Sequence, residues 1–535
     1  MRLLGLSFLW LVACPATPSD DDTDPQDTDT DTDTDTDTDT DTDTDTDTDT
    51  DTDSPEDGAD CTSNTNVESF DELYCVTAAP CQWHGAKLGD RFGHSVASGA
   101  DIDGDGSIDF AVGAPTTDVE SSSGTFIDAG AVRLYSGSKV NHTTNGFLAE
   151  LKGDQHGEFF GESITLLADA NGDDIGDIIV GARNHNQPND KAGRVVVYAG
   201  RADWTAEEFE PLSIIYGLSE ASQMGTRTMA AQDLNGDGLS DFLLASEMKI
   251  MVDGREKNNR GTVRLFYGTE AWAAVQIASN AAASLSGEKA DETAGFGLAP
   301  GADFDGDGHL DLAIGAPYGG DFRNGRTYLL QGSAAGWSGE TTLNTVSTRT
   351  VDGDSAYDAC GWSIATGDVT GNGFADLAIG CPLANTPHDN TGLVKLYQGG
   401  SDFFSGESEP IASIFGRFDD FEAGSGLQSD GDVNGDGIND LLIGSLKAYR
   451  GFATKSGKID VYWGRNAESW AALGNTPTPN IGVHGESPKD YLGSNAAFGD
   501  LNGDGVSELL FGSGFTDTGV GLDAGSVYLL WGELP

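Results

Sequence analysis

An acidic loop of nine residues recurs seven times along this chain, beginning at Asp101, Asp169, Asp233, Asp303, Asp368, Asp432 and Asp500. The first copy ends at Asp109 and carries carboxylates at loop positions 1, 3, 5 and 9, with a glycine at position 6 that lets the backbone turn around an ion. Such a concentration of oxygen ligands suits calcium. Successive copies begin 64 to 70 residues apart, a spacing that indicates a repeat architecture and is too long for paired EF-hands.

The residue at position 12 separates this loop from an EF-hand or dockerin loop, which needs an acidic ligand there. Here position 12 is always apolar: Val112, Val180, Leu244, Ile314, Ile379, Ile443 and Phe511. These residues lie in short apolar runs that end in Gly, Ser or Pro, which predicts buried strands rather than helices. We therefore expect residue 9 of each loop to close a metal site from the start of a strand.

Three glycine markers recur in step with the loop and predict the other strands. One glycine lies seven or eight residues before each loop, two bracket an eight-residue strand (Gly130 to Gly137 in the first copy), and another ends a fourth strand (Gly153). Four strands in each of seven units predict an all-β, seven-bladed β-propeller. A fourth-strand marker also precedes the first loop, at Gly85, and none follows Gly532. We expect the segment from Val76 to Gly85 to complete the seventh blade and close the ring.

The order of these motifs resembles the FG-GAP repeat of integrin α-subunit propellers and their bacterial relatives. The motifs stand here as Phe92-Gly93, Phe160-Gly161, Gly113 to Pro115, Gly315 to Pro317 and the variant Gly380 to Pro382. The resemblance covers about residues 75 to 535. It implies that the metal loop joins the first and second strands of a blade, opposite the partner-binding face. We recognise no inserted adhesion domain, leg domain or transmembrane helix, so the resemblance does not imply integrin-like signalling.

The predicted calcium ligands are the side chains at positions 1, 3, 5 and 9 and the carbonyl at position 7. They are Asp101, Asp103, Asp105, Ser107 and Asp109; Asp169, Asn171, Asp173, Ile175 and Asp177; Asp233, Asn235, Asp237, Leu239 and Asp241; Asp303, Asp305, Asp307, His309 and Asp311; Asp368, Thr370, Asn372, Phe374 and Asp376; Asp432, Asn434, Asp436, Ile438 and Asp440; and Asp500, Asn502, Asp504, Val506 and Glu508.

Copies 1, 3, 4 and 6 are the best formed, since they are fully acidic or replace one carboxylate by Asn. Copy 2 has Asp174 where glycine is expected, which predicts strain in the turn, copy 5 has Thr370 and Asn372 as ligands, and copy 7 ends in Glu508. We expect several structural Ca²⁺ ions, up to seven. The alternative is a set of Asp-Asn-Gly turns without metal.

No catalytic residues can be assigned from the sequence. The eight histidines are scattered, and no Ser-His-Asp order, phosphate-binding loop or zinc spacing is present. We predict a non-catalytic, calcium-stabilised binding or adhesion propeller of the cell surface. The alternative is a secreted carbohydrate-active enzyme, a polysaccharide lyase or hydrolase, and a cluster of acidic, Tyr, Arg or His residues at the channel mouth would favour it.

Two connections between second and third strands are basic, although the chain has a net charge of −60 that argues against binding to a nucleic-acid backbone. They carry Lys249, Arg255, Lys257 and Arg260 in blade 3, and Lys447, Tyr449, Arg450, Phe452 and Lys455 in blade 6. These residues predict a site for an anionic glycan or a surface protein. The alternative is a pair of ordinary solvated loops.

The N-terminal region predicts export and anchoring. Residues 1–13 form a lipoprotein signal peptide, and Leu11 to Cys14 resembles a lipobox, so Cys14 is the predicted lipidation site. The alternative is an ordinary secretory signal. Residues 14–60 form a disordered linker rich in Asp and Thr, and calcium binding by this tract is a second, less favoured interpretation. We expect a bacterial protein held at a membrane by a lipid anchor, with its propeller at the cell surface.

Residues 61–87 form a cysteine-containing segment that supplies the closing strand, and the seven repeats follow at about 88–153, 154–217, 218–287, 288–353, 354–416, 417–485 and 486–535. Cys360 and Cys381 flank the fifth loop and its strand, so adjacent antiparallel strands would bring them together as a disulfide. The pairing among Cys61, Cys75 and Cys81 stays open.

Overall fold

The computed structural model describes residues 73–75, 81–122, 124–141, 144–206, 208–246, 250–252, 255–257, 259–385, 388–405, 409–449, 455–485, 487–518 and 522–532. Within these ranges the regular structure is almost entirely β-strand. Two short helices, α1 (Leu343–Val346) and α2 (Ala467–Ala472), and two 3₁₀ turns, Ala278–Asn280 and Asp321–Arg323, lie in connections.

The strands follow one another in a regular order. The first twelve are β1 (Leu73–Cys75), β2 (Cys81–His84), β3 (Ser95–Ala100), β4 (Asp109–Ala114), β5 (Val119–Ser121), β6 (Gly124–Phe126), β7 (Ala131–Asn141), β8 (Thr144–Lys152), β9 (Phe160–Leu167), β10 (Asp177–Ala182), β11 (Arg194–Tyr198) and β12 (Ser213–Tyr216). The next twelve are β13 (Arg227–Gln232), β14 (Asp241–Ser246), β15 (Ile250–Val252), β16 (Arg255–Lys257), β17 (Thr262–Phe266), β18 (Val275–Ile277), β19 (Ala283–Ser286), β20 (Leu298–Ala302), β21 (Asp311–Ala316), β22 (Arg326–Leu330), β23 (Gly339–Thr342) and β24 (Arg349–Asp352). The last eleven are β25 (Ser363–Gly367), β26 (Asp376–Cys381), β27 (Leu393–Tyr397), β28 (Ala412–Phe415), β29 (Ala423–Gly431), β30 (Asp440–Ser445), β31 (Lys458–Tyr462), β32 (Ile481–His484), β33 (Asn495–Gly499), β34 (Glu508–Ser513) and β35 (Ser526–Leu530).

Seven antiparallel sheets form the blades, in the strand orders β3-β4-β7-β8, β9-β10-β11-β12, β13-β14-β17-β19, β20-β21-β22-β24, β25-β26-β27-β28, β29-β30-β31-β32 and β33-β34-β35-β2. The first strands of neighbouring blades contact one another around the whole ring, including β33 with β3. The first strands therefore line the central axis and the ring is closed. The predicted all-β, seven-bladed propeller is confirmed.

The closing strand comes from the N-terminal side, as expected from the Gly85 marker. β2 pairs antiparallel with β35, with Cys81 opposite Leu529. Trp83 of β2 is 1% exposed, and its ring lies 5.4 Å from that of Phe110 and 5.9 Å from that of Tyr135, both in blade 1. One hydrophobic cluster thus joins the two ends of the propeller chain.

The second strand of each blade is buried on both faces, because neighbouring blades pack against the two faces of its sheet. All six residues of β21 are buried, and the same holds for the second strand of every other blade. Gly315 of β21 shows why a glycine recurs there. A Cβ on Gly315 would lie 2.0 Å from the carbonyl oxygen of Gly361, the marker glycine of the next blade. The two glycine markers therefore record close backbone contact between neighbouring blades.

Three additional strands extend blade edges in a way that the sequence does not predict. β18 pairs parallel with β12, β23 with β19, and β1 with β32. In each case a segment that precedes the fourth strand of one blade covers the outer edge of the preceding blade, which protects an otherwise open strand.

The antiparallel order assigns each connection to one of two faces. Connections from first to second strands and from third to fourth strands lie on the metal-loop face. Connections from second to third strands, and from each fourth strand to the next blade, lie on the opposite face.

Candidate metal centres and binding face

Each acidic loop is folded by its own side chains. In the third copy, Oδ1 of Asp233 accepts the N–H groups of Gly236 at 2.7 Å and Asp237 at 3.0 Å, while Oδ2 accepts that of Gly238 at 2.8 Å. At position 5, Asp237 accepts the N–H of Leu239 at 2.9 Å. Equivalent bonds to the position-1 side chain occur in all seven copies. The loop is therefore already curved by these bonds.

Two left-handed residues make that curvature possible. Position 4 is glycine in every copy, with φ between 66° at Gly371 and 85° at Gly172, a requirement that the sequence analysis did not single out. Position 6 is also left-handed. In copy 2 Asp174 adopts φ 63°, in the region that glycine occupies in the other copies, so this aspartate accepts the strained conformation that the sequence predicted.

The position-9 carboxylate ties each loop to the third strand of its blade. Oδ2 of Asp311 accepts the N–H of Phe304 at 2.9 Å, and Oδ1 accepts the N–H of Gly332 at 2.6 Å. Gly332 is the glycine that ends the bracketed third strand. Corresponding bonds to the loop backbone occur in the other copies. All seven position-9 side chains are at most 1% exposed.

Burial has a clear electrostatic effect on these position-9 groups. Loss of hydration raises the pKa to about 7 for Asp109, Asp177, Asp241, Asp311 and Glu508, and the backbone N–H donors oppose that rise. For Asp376 and Asp440 the same cause raises the pKa to about 6. A divalent cation beside these groups would favour the ionised form.

The donor sets of copies 1 and 4 fit a divalent cation. Carboxylate oxygens of Asp101, Asp103 and Asp109 lie within 4.8 Å of one another, and so do those of Asp303, Asp305 and Asp311. An all-oxygen set with several carboxylates matches the preference of calcium.

Other copies use part of their donor set internally. Thr370 donates its hydroxyl to Asp376 at 3.3 Å, and the Asn171 and Asn502 amides donate to their position-9 carboxylates at 3.0 and 3.2 Å. In copies 3 and 6 the Asn235 and Asn434 amides likewise donate to their position-5 carboxylates, at 2.9 and 3.1 Å, so these internal bonds do not rank the seven copies. Calcium occupancy of each copy stays a prediction.

Neighbouring loops are hydrogen-bonded at five of the seven junctions between blades. The N–H of position 8 in one copy donates to the position-1 carbonyl of the preceding copy. The bonds run from Gly176 to Asp101 (2.8 Å), Ser240 to Asp169 (2.6 Å), Ala375 to Asp303 (3.2 Å), Asn439 to Asp368 (3.1 Å) and Ser507 to Asp432 (2.7 Å). A distortion of one loop is therefore transmitted to the next blade.

Indole groups of three tryptophans add hydrogen bonds between blades at these loops. Trp204 donates Nε1–H to the carbonyl of Ile102 at 3.2 Å, Trp272 to Ala170 at 3.1 Å, and Trp470 to Val369 at 2.9 Å. Each tryptophan comes from the blade after the loop that it contacts. No sequence motif identifies these tryptophans, because their partners lie 101 or 102 positions away.

Cysteines stabilise two other places. Cys360 and Cys381 form a disulfide with a Cα–Cα distance of 3.9 Å, joining a residue three positions before β25 to the end of β26. Cys81 on the closing strand is also disulfide-bonded, and its partner is not among the described side chains. Cys14, the predicted lipidation site, and Cys61 lie outside the described residues.

The two basic connections are described only in part. Lys249, Arg450 and Phe452 lie outside the described residues, and Arg255 and Lys257 are described only as backbone, on β16 paired with β15. Arg260 is exposed. In the other connection, Lys447 Nζ lies 2.5 Å from Glu422 Oε1, so its charge is paired within the protein.

An aromatic cluster with two exposed rings and one buried ring lies beside Lys447 on the opposite face. It consists of Phe418, Phe421 and Tyr449, with ring centroids 5.2 to 5.9 Å apart. Phe418 is 51% exposed and Tyr449 is 41% exposed. Tyr449 is one of the residues predicted from the sequence, whereas both phenylalanines were not predicted, because they belong to the connection between blades 5 and 6 rather than to the same loop.

At the axis on this face, Glu162 follows the marker glycine of blade 2. Its carboxylate lies 3.3 Å from Arg183 and 3.7 Å from His94. Although burial opposes it, His94 and Arg183 hold the pKa of Glu162 below its usual range. Nearby, Arg227 lies over the Phe296 ring at 5.0 Å. An ionised carboxylate beside Arg183 is poorly suited to donate a proton. Acidic, Arg and His residues nevertheless meet here at the channel mouth, which is the arrangement that the alternative of a carbohydrate-active enzyme predicts.

A second acid–histidine cluster lies in blade 2, where oxygen and nitrogen atoms of Asp154, Glu158 and His185 come within 4.8 Å of one another. The Arg194 guanidinium already bonds both carboxylates at 3.0 Å. His185 Nδ1 lies 2.7 Å from Glu158. The cluster is internally charge-compensated and supports the connection between blades 1 and 2.

Comparison with known proteins agrees with this geometry. A model of the FG-GAP-like repeat matches residues 432–511, and a model of the FG-GAP repeat matches residues 294–330 and 361–397. These segments contain the fourth, fifth, sixth and seventh acidic loops. The chain is a β-propeller of FG-GAP repeats.

The similar proteins include integrin α-subunits. Integrin alpha-PS2 of Drosophila melanogaster is 28% identical over 236 residues, covering 42% of this chain and 15% of the relative. Integrin alpha pat-2 of Caenorhabditis briggsae is 28% identical over 241 residues, covering 42% and 18%. Integrin alpha-5 of Xenopus laevis is 30% identical over 234 residues, covering 42% and 20%. The match thus spans a fifth or less of each relative.

Among solved structures, BBS1N in complex with ARL6DN aligns with 83% of this chain and 92% of its own, at 9% identity and a TM-score of 0.42. No helix within the described ranges is long and apolar enough to cross a membrane.

Proposed function

We propose that this FG-GAP propeller is a calcium-stabilised binding or adhesion module of the cell surface, non-catalytic and held to a bacterial membrane by a lipid on Cys14. The exposed rings of Phe418 and Tyr449, which pack on the buried Phe421 on the face opposite the acidic loops, carry the binding part of this proposal. Similarity to integrin α-subunits agrees with adhesion or binding.

Calcium has a structural role in this proposal. Copies 1 and 4 gather three carboxylates each, and copies 3 and 6 differ from them by one Asn. Without a cation, the clustered negative charges repel one another and oppose the hydrogen bonds that curve the loops. At the five junctions where neighbouring loops are hydrogen-bonded, these bonds extend the stabilisation by an ion to the next blade. Calcium thereby stiffens one face while the other remains free for a partner.

The aromatic cluster has the composition of a binding surface. Aromatic side chains are enriched at the cores of protein interfaces. Their ring faces pack against apolar surfaces of a partner, while a tyrosine hydroxyl can form hydrogen bonds at the edge of the interface. The Tyr449 hydroxyl, the Lys447–Glu422 pair and Arg417 surround the rings with polar groups. We expect the partner to be a protein or a glycan displayed on another surface.

Anchoring follows from the N-terminal motif, which lies outside the described residues. A lipid on Cys14 and the Asp-Thr tract after it would hold the propeller away from the membrane. Processing that is sensitive to globomycin, and fatty-acid labelling that is lost in Cys14→Ser, are the expected results. Normal processing and anchoring of Cys14→Ser would contradict the lipid anchor.

The binding experiment uses glycan and surface-protein arrays with the propeller in calcium, followed by affinity measurements on each hit. The Phe418→Ala, Tyr449→Ala double variant should lose at least tenfold in affinity, because truncated aromatic anchors cost about 1.4 kcal/mol or more. Phe322→Ala is the matched control, since Phe322 is an 83% exposed phenylalanine in blade 4. Unchanged affinity in the double variant would refute this binding face, and turnover of a bound glycan would refute the non-catalytic assignment.

A further inference from the structure

The side chain of Lys139 contacts the first acidic loop. Its Nζ lies 2.5 Å from Oδ2 of Asp103 and 3.9 Å from Oδ2 of Asp105, the ligands at positions 3 and 5. Asp103 is 3% exposed and Lys139 is 52% exposed, so the ammonium reaches from solvent onto a buried carboxylate. Among the salt bridges of the described residues, no other lysine or arginine pairs with a carboxylate of the seven loops.

An extended hairpin brings Lys139 to this position. β7 is 11 residues long, whereas the third strands of the other six blades have five residues each. The additional residues pair with β8, where Val140 is opposite Asn145. Ser138, on the same extension, donates its hydroxyl to Oδ2 of Asp105 at 2.5 Å. The hairpin is thus attached to two ligand positions of loop 1.

Blade 4 offers an internal comparison, because loop 4 carries the same carboxylates at positions 1, 3, 5 and 9. Its position-3 carboxylate, Asp305, accepts a hydrogen bond from Gln331 Nε2 at 2.6 Å. The equivalent oxygen is therefore met by a neutral amide in loop 4 and by a positive ammonium in loop 1. The two loops differ in the charge of this neighbour.

We propose that Lys139 is an internal counter-cation that competes with calcium for loop 1 and makes it a weaker, calcium-responsive site than loop 4. This inference rests on the calcium binding proposed above. In the absence of calcium, the ammonium offsets the repulsion between Asp103 and Asp105. When calcium binds, the ammonium must leave, because two cations at contact distance from one carboxylate oxygen repel strongly. Loop 1 therefore fills at higher calcium concentrations than loop 4 and releases the Lys139 side chain as it fills.

Terbium binding to the full chain tests the competition. Terbium replaces calcium and luminesces when a nearby indole is excited, and Trp204 is hydrogen-bonded to Ile102 of loop 1 at 3.2 Å. The share of the signal that disappears in Asp105→Ala belongs to loop 1. Lys139→Met, which keeps the apolar stem and removes the charge, should tighten terbium and calcium binding at loop 1 by about five- to thirtyfold.

Lys152→Met is the matched control. Lys152 lies in the same hairpin, is 54% exposed, and pairs with Glu150 rather than with the loop. It should leave the affinity of loop 1 unchanged. Equal affinity of the Lys139→Met variant and the unmodified protein would overturn the competition while leaving calcium binding intact. Absence of terbium binding in the unmodified protein and in every variant would overturn the proposed calcium function and this inference with it.

Amine acylation measured by mass spectrometry provides a second readout. Calcium should accelerate the modification of Lys139 severalfold, since the ion releases the ammonium from Asp103, and should leave Lys152 unaffected. A Lys139 acylation rate that is the same in calcium and in chelator would contradict displacement of the side chain.

Discussion

Replacing Gly315 by alanine tests the close contact between blades that explains the recurring glycines. A Cβ at this position would lie 2.0 Å from the carbonyl oxygen of Gly361 and 2.8 Å from its carbonyl carbon. Since an ordinary contact between carbon and oxygen is above 3 Å, the two blades would have to separate by about 1 Å or more in a closed ring of packed sheets. Overpacking a core costs about 1–3 kcal/mol. The clashing atoms all belong to the backbone of Gly361, so no side-chain rotation can remove the clash. We therefore expect the free energy of unfolding to fall by about 3 kcal/mol.

Blade 3 provides the matched control, because it carries Ala245 at the equivalent strand position, 3.1 Å from the Cβ position of Gly295. Ala245→Gly should cost only about 1–2 kcal/mol through a lost methyl group and greater backbone freedom. Urea unfolding followed by tryptophan fluorescence, with calcium held constant, measures both variants. If Gly315→Ala unfolds at the same urea concentration as the unmodified protein, the proposed contact does not constrain blade packing.

Three further perturbations address the closing strand, its neighbouring carboxylate and the disulfide. Trp83→Ala should lower the unfolding free energy by about 3–5 kcal/mol, because it empties the cluster that joins the two ends of the ring, and urea unfolding measures this loss. Burial raises the pKa of Asp90 from 3.8 to about 6, so the stability contributed by the protonated carboxyl is fully present below about pH 4 and is lost as the pH rises through about 6. The melting temperature of Asp90→Asn should therefore rise relative to that of the unmodified protein between about pH 4 and 6.5, and a constant difference across that range would contradict the assignment. Replacing Cys360 and Cys381 together by serine should cost about 3 kcal/mol, given the 21-residue separation that the bond closes, and unchanged melting in non-reducing buffer would show that the bond does not stabilise blade 5.

The blade count and the closing strand were predictable because they follow from local motifs, the acidic loops and marker glycines, that recur along the sequence. Each loop fixes the junction of two strands, and each marker glycine records backbone contact with a neighbouring blade, as at Gly315 and Gly361. The order of markers also identifies β2 as the outer strand of the seventh blade, since Gly85 precedes every loop. These signals recur at a constant period, so sequence alone is sufficient to count them.

Contacts between blades that occur once or twice were not predictable. Trp204 bonds to Ile102 across 102 positions, and no periodic pattern identifies the pair. Phe418 and Tyr449 come from different connections and meet only because blades 5 and 6 are neighbours. Lys139 reaches loop 1 only through an extended hairpin, so a count of acidic ligands alone would rank loops 1 and 4 as equal.

Calorimetric melting of the full chain in millimolar calcium and in excess EGTA shows whether calcium bound to the acidic loops holds the propeller together. Each site that binds only the folded state and is filled at a hundred times its Kd adds about 2.7 kcal/mol of stability. Several occupied loops should therefore raise the melting temperature well above that in EGTA. The same melting temperature in both solutions would contradict a structural role for calcium.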